Sequence, residues 1–176
     1  MISLKKRNLD GKGFTIVELL IVIVVIGILA LLVITTYSGI QAKARNSKRQ
    51  TDIQAIQTQL EAFFSQNGYY PSLKDMNTGT NANSSDDSTW VASNMKSLDQ
   101  TALTDPSNPH DSKNLLAAPD TKVHQYAYAV STTSSDPDTP GASCEDDHTT
   151  CAQYTLTAEY EGTVNNKSSY SKSNLD

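Results

Sequence analysis

Residues 14–34 read FTIVELLIVIVVIGILALLVI. From position 19 onward every residue of the stretch is apolar or glycine, and the whole is long enough to cross about 30 Å of hydrocarbon as a helix. A helix closes its own backbone hydrogen bonds, so lipid is a tolerable solvent for it. Glu18 interrupts the pattern. A carboxylate inside hydrocarbon costs at least ~2.5 kcal/mol unless something pairs with it, which marks Glu18 as a functional position; the plainer reading has it snorkel to water from near the interface.

Upstream, residues 1–13 (MISLKKRNLDGKG) set Lys5, Lys6, Arg7 and Lys12 against Asp10. Cations just before an apolar run hold that end in the cytoplasm and send the remainder across. A secretory leader is cut after its apolar region, at an A-x-A-like site, and Thr35, Thr36 and Tyr37 do not make one. The small residue stands before the run instead, at Gly13, and cleavage there leaves the helix on the mature chain.

Downstream, Ile53, Ile56, Leu60, Phe63 and Phe64 fall at helical spacing among polar residues, which predicts that the helix continues as an amphipathic rod covering a globular head. Asn67-Gly68, followed by Pro71, is its stop signal. A rod over residues 14–66 would span on the order of 80 Å at about 1.5 Å per residue. The head is rich in Ser, Thr, Asn and Asp, a small core that favours a staple. Cys144 and Cys151, the only cysteines, are an even pair in a region placed outside the membrane, which favours a disulfide over two thiols. Residues 77–89 read as a polar loop, 90–99 as a short helix anchored by Trp90, and 105–109 as a turn. Strands are expected at 123–130, at 154–160, where apolar and polar residues alternate, and within 163–171. The fold class is therefore α+β: a long N-terminal helix packed on a small antiparallel sheet. Lys43, Arg45, Lys48 and Arg49 read as a solvated basic helix face, with neighbouring acidic heads or anionic headgroups as further partners.

The stretch GFTIVELL ahead of an apolar helix resembles the signal of type IV prepilins, shared by type IV pilins and by the pseudopilins of type II secretion and competence systems. The resemblance implies that a prepilin peptidase cuts after Gly13, that Phe14 becomes an N-methylated terminus, and that Glu18 is the family's acidic residue, pairing with that terminal ammonium within or between subunits to set filament register. It implies a domain plan of leader 1–13, transmembrane or filament-core helix 14–37, amphipathic continuation 38–66 and extracytoplasmic head 67–176. Many members carry a proline where this chain has Thr35. Gly27, Thr35, Thr36 and Gly39 are left to weaken the helix if it melts on assembly. The loop between Cys144 and Cys151 corresponds to the family's variable disulfide-bounded loop.

The chain carries no Gly-rich phosphate loop, nucleophile elbow or clustered His, Cys and carboxylates, so neither catalysis nor a cofactor is expected. Asp136, Asp138 and residues 145–147 could hold calcium but read better as a solvated acidic loop. Asn83 and Asn166 begin matches to the glycosylation acceptor pattern. Net charge is −5, and losing a leader of +3 leaves −8, which opposes a specific nucleic-acid partner. The expected protein is a type IV pilus subunit: held first in the membrane with its N-terminus cytoplasmic, then polymerised with identical or related subunits into a surface filament by an assembly platform and ATPase. The alternatives are a pseudopilin, or a membrane-anchored binding or enzymatic domain that resembles a prepilin only at its start.

Overall fold

A computed structural model describes residues 13–78, 89–108, 113–122, 124–132, 144 and 151–175. Helix α1 (Ile16–Asn67) is followed by two short helices, α2 (Leu73–Asn77) and α3 (Trp90–Asn94), a 3-10 turn at Gln100–Leu103, and strands β1 (Ala127–Thr132), β2 (Cys151–Val164) and β3 (Lys167–Ser173). The chain divides into two compact units, Met1–Gln41 and Ala42–Asp176. In the first, the large apolar side chains of α1 are 48% to 87% exposed on every side of the helix.

In the second unit, α1 buries one stripe: Asn46, Arg49, Ile53, Ile56, Leu60 and Phe63, with Asp52 beside it. The intervals alternate between three and four, so the stripe stays on one helix face. It ends where expected. Gly68 takes φ +80°, a conformation cheap only for glycine, and its amide donates to the Phe64 carbonyl at 2.7 Å. Tyr70 then stacks on Phe64 with ring centroids 4.5 Å apart, and its amide donates to the Cys151 carbonyl at 2.9 Å, tying the helix exit to β2. Helix α2 starts on a capping box between Ser72 and Asp75 and ends at Asn77, where the expected polar loop begins; residues 79–88 of that loop lie outside the described residues.

The sheet has the order β1-β2-β3, antiparallel throughout. Tyr128, Val130, Tyr154, Leu156 and Ala158 give its buried face, packing with Leu60, Met76, Val91 and Leu103 in one core. Each buried phenol has a partner: Tyr126 donates to Asp52 at 3.0 Å, Tyr128 to the Pro71 carbonyl at 2.8 Å, and Tyr154 and Tyr70 to the two oxygens of Glu61 at 2.7 and 3.0 Å. Burial raises the pKa of all four phenols above the ordinary tyrosine value. Trp90 lies half-buried, its ring 5.3 Å from that of Phe63.

Three local expectations need correction. Position 123 lies outside the described residues, and strand β1 begins only at Ala127, because His124 takes φ 49° and the chain at Tyr126 pairs with Leu116 before joining the ladder. Helix α3 ends at Asn94, whose side chain turns back on the Trp90 carbonyl at 2.8 Å, and Asp99 caps a separate 3-10 turn. Strand β2 is longer than expected and β3 runs on to Ser173, past 171; they are joined at Asn165 and Asn166 with φ of 52° and 62°, the pair of positive values that a two-residue hairpin demands. The turn at 105–108 forms as expected, the Asn108 amide donating to the Asp105 carbonyl at 2.9 Å.

The larger correction concerns the basic cluster, whose two arginines are not part of a solvated face. Arg49 is fully buried, with its Nε and Nη2 on the two oxygens of Asp105 at 2.7 and 2.8 Å, and further bonds to Asn46, Ser107 and Glu161. Arg45 clasps both oxygens of Glu161, and Lys48 pairs with Asp52 at 2.5 Å. Lys43 and Lys48 remain exposed, Lys43 outside this network. The clasp exists because the β2–β3 register shifts between Glu159 and Val164, and such a bulge re-aims the residues it frees. Here it turns Tyr160 onto Gln50 at 2.6 Å and the Glu161 backbone onto the Asn46 amide at 3.0 and 3.1 Å.

The Arg45 guanidinium, aided by Ser107 and Arg49, holds the Glu161 carboxyl at about 2 against an ordinary 4.5. Burial pushes Asp52 the other way, against its bonds to Lys48 and Tyr126. A depressed folded value stabilises above the unfolded value and is lost as pH falls through the folded one. Glu161 therefore supports the head above about pH 4.5 and ceases to do so towards about pH 2. Asp52 acts in the opposite sense, since its protonated form suits burial. Thermal unfolding followed across pH should find that Glu161→Gln costs about 2 kcal/mol at pH 7 and flattens the acid limb. An unchanged acid limb would count against the clasp.

Candidate functional site

Of the residues expected at the start of the chain, Glu18 lies in the first turn of α1. Helix geometry begins at Ile16, so Thr15 is the N-cap and Glu18 the third residue of the first turn. One Glu18 oxygen, Oε2, accepts the Thr15 amide at 2.9 Å and the Thr15 hydroxyl at 2.7 Å, while the Glu18 amide donates to that hydroxyl at 3.2 Å. This is a reciprocal capping box, which satisfies donors that the start of a helix otherwise leaves open. The helix dipole also favours a carboxylate at this end. Glu18 thus has a local partner in the single chain, a Thr-x-x-Glu motif legible in Thr15-Ile16-Val17-Glu18.

Gly13 and Phe14 precede the helix in open backbone, with Phe14 87% exposed. Gly27, Thr35, Thr36 and Gly39 all lie within continuous helix. A Cβ added at Gly27 or Gly39 would meet nothing within 4 Å, and the Thr36 hydroxyl bonds back to the Leu32 carbonyl at 2.9 Å. By length and composition the N-terminal part of α1 is fit to cross a membrane.

The remaining sequence-derived sites lie in the head. Cys144 and Cys151 are both buried and brought together, Sγ of Cys151 lying 4.0 Å from the Cys144 carbonyl oxygen. Cys144 also donates its amide to the Val130 carbonyl at 3.0 Å, on the opposite edge of β1 from β2. Asn166 sits exposed in the hairpin turn. Asn83, Asp136, Asp138 and residues 145–147 lie outside the described residues.

The family model for the prokaryotic N-terminal methylation motif matches residues 11–34. The chain carries that methylation motif. Among curated proteins it is 38% identical over 63 residues to the type IV major pilin protein PilA of Myxococcus xanthus, covering 36% of this chain and 29% of that one. It is similarly 39% identical over 63 residues to the type II secretion system core protein G of Dickeya chrysanthemi (36% and 41% covered), and 40% identical over 60 residues to that of Escherichia coli (34% and 41%). The chain thus spans less than half the length of these relatives. No solved structure matches the chain significantly. The methylation motif covers the capped start of α1 and its apolar run, the same residues that the structure leaves uncovered.

Replacing Thr15 by Ala removes the two bonds made by its hydroxyl, worth ~1 kcal/mol, and leaves its backbone amide on Glu18. Amide exchange of residues 16–19 in detergent micelles should then speed by roughly fivefold, and Thr15→Ser should restore protection. Equal exchange in all three chains would refute the capping role.

Proposed function

We propose that the chain is a non-enzymatic structural subunit of the pilin and pseudopilin kind, and specifically a type IV pilin. It is made as a membrane-anchored precursor, cut after Gly13 by a prepilin peptidase, methylated at Phe14, and polymerised through α1 into a filament at the cell surface. The observation that carries this reading is the division of α1. Residues 14–40 leave their large apolar side chains exposed all round, while the same helix from Asn46 onward is built into a folded head. A helix apolar on every side needs lipid or other helices around it.

Cleavage creates an ammonium at Phe14, four residues before Glu18, and methylation keeps its charge. In a filament the ammonium of one subunit pairs with Glu18 of another, and leaving either buried without the other is costly. Gly27, Thr35, Thr36 and Gly39 provide the weak stretch if part of α1 unwinds on assembly. Cys144 and Cys151 form a disulfide once outside the membrane, closing the 145–150 loop. Identical or related subunits, an assembly platform and an ATPase are the implied partners. The type II secretion relatives favour a second reading, a pseudopilin of a secretion system, with the same maturation and a shorter fibre.

Intact mass and N-terminal sequence of sheared extracellular material decide between them. The pilin reading expects a chain beginning at methylated Phe14, two hydrogens light for the disulfide. A processed chain found only in the membrane supports the pseudopilin, and a chain retaining residues 1–13 overturns both. Glu18→Ala should abolish the sheared form, through a loss of ~3 kcal/mol per subunit contact, while leaving the membrane level intact.

A further inference from the structure

Arg45, Asn46, Arg49 and Gln50 occupy little more than one turn at the start of the head's share of α1. Their side chains hold β2 and the 105–108 turn together: Arg45 on both Glu161 oxygens, Asn46 on the Glu161 backbone, Arg49 on Asp105, Ser107 and Glu161, and Gln50 on Tyr160. From Ile53 onward the buried stripe of the helix becomes apolar. Beyond it the polar bonds are fewer and neutral except at Glu61: Gln54 meets Tyr170, Gln57 the Ser173 carbonyl, and Glu61 accepts from Tyr70, Tyr154 and the Leu175 amide.

The two kinds of contact answer differently to a pull along the helix. Apolar contact is non-directional and tolerates sliding, whereas hydrogen bonds weaken steeply once stretched or bent. Several held across one turn must fail together. Arg49 is fully buried, so water cannot readily replace its bonds as they stretch, and low local dielectric strengthens them. Since α1 is a single helix from Ile16 to Asn67, tension applied to its first residues reaches this turn before it reaches the apolar stripe. The strand contributes as well: β2 leaves its regular ladder next to Glu161, with Gly162 at φ +77°, and so offers both the backbone and the carboxylate of Glu161 to α1.

We infer that this turn is a mechanical clamp, whose bonds from Arg45, Asn46, Arg49 and Gln50 to Glu161, Asp105 and Tyr160 meet tension arriving along α1 and set the force at which the head peels from its helix. Its biological use rests on the filament reading, because a filament subunit is pulled along α1. Its test does not need a filament.

The full chain in detergent micelles is pulled by handles on azide-bearing residues, which spares the cysteines. One geometry attaches them at positions 43 and 155, so that the clamp end of the helix peels first. The other uses positions 65 and 155, so that the apolar end does. In the first, Glu161→Gln and Arg45→Gln should each shorten the lifetime of the head at constant force about tenfold. In the second the same variants should change it less than about twofold, and Ile56→Val should act alike in both. Arg45 is 31% exposed, so Arg45→Gln leaves the Arg49 and Asp105 pair in place and keeps the test open if Glu161→Gln fails to fold. Equal shortening in both geometries, or none in the first, overturns the clamp. A chain absent from sheared filaments that still shows the split would fail the filament reading and keep the clamp.

Discussion

Apolar surface that no part of the chain covers has to be covered by something else, and α1 presents it on all sides over residues 14–40. Each large aliphatic side chain is worth about 1.5–3 kcal/mol when taken out of water, so the free energy at stake in this one segment exceeds the net stability of a typical domain. The head folds on the later part of the same helix, and its core draws on residues from Ile53 onward.

Where α1 passes from one task to the other, the buried stripe starts with Asn46, Arg49 and Asp52 instead of aliphatics. A buried ion pair adds little net stability over an apolar pair of the same shape. What it supplies here is register. The fork of Arg49 meets Asp105, Ser107 and Glu161 together, and a shift of α1 by one residue against β2 would break those bonds at once. An aliphatic residue at position 49 would tolerate such a slip. Among the described residues no buried side-chain nitrogen or oxygen lacks a partner, so the polar start of the stripe carries no unmatched group.

Periodicity made the helix, its stop at Gly68 and the sheet legible, because side-chain spacing and glycine conformation are local properties. The clasp was not. Arg45 and Arg49 have the composition of a solvated face, and what buries them is a carboxylate more than 100 residues away, delivered by a bulge that leaves no mark in the alternation of β2. Asn165-Asn166 could have been read as a hairpin turn from its residue types alone. His124 gave no warning of its left-handed conformation. At the candidate site, Gly13, Phe14 and Glu18 stood out, while the role of Thr15 was hidden because a charge in an apolar run draws the eye to distant partners before near ones.

That near partner changes the energetics of assembly. With Thr15 donating twice to Glu18, the single chain does not bring a bare carboxylate to the edge of the hydrocarbon. In the proposed filament a terminal ammonium from a neighbouring subunit would compete with an existing set of bonds, and the net gain would be the difference between two satisfied states, far smaller than the cost of an unpaired charge. Trading lipid for neighbouring helices is similarly close to balance, because lipid tails are as apolar as leucine. Two exchanges near balance, one of charge and one of surface, leave geometry to decide which neighbour fits. They also leave the direction of assembly open to work supplied from outside the filament.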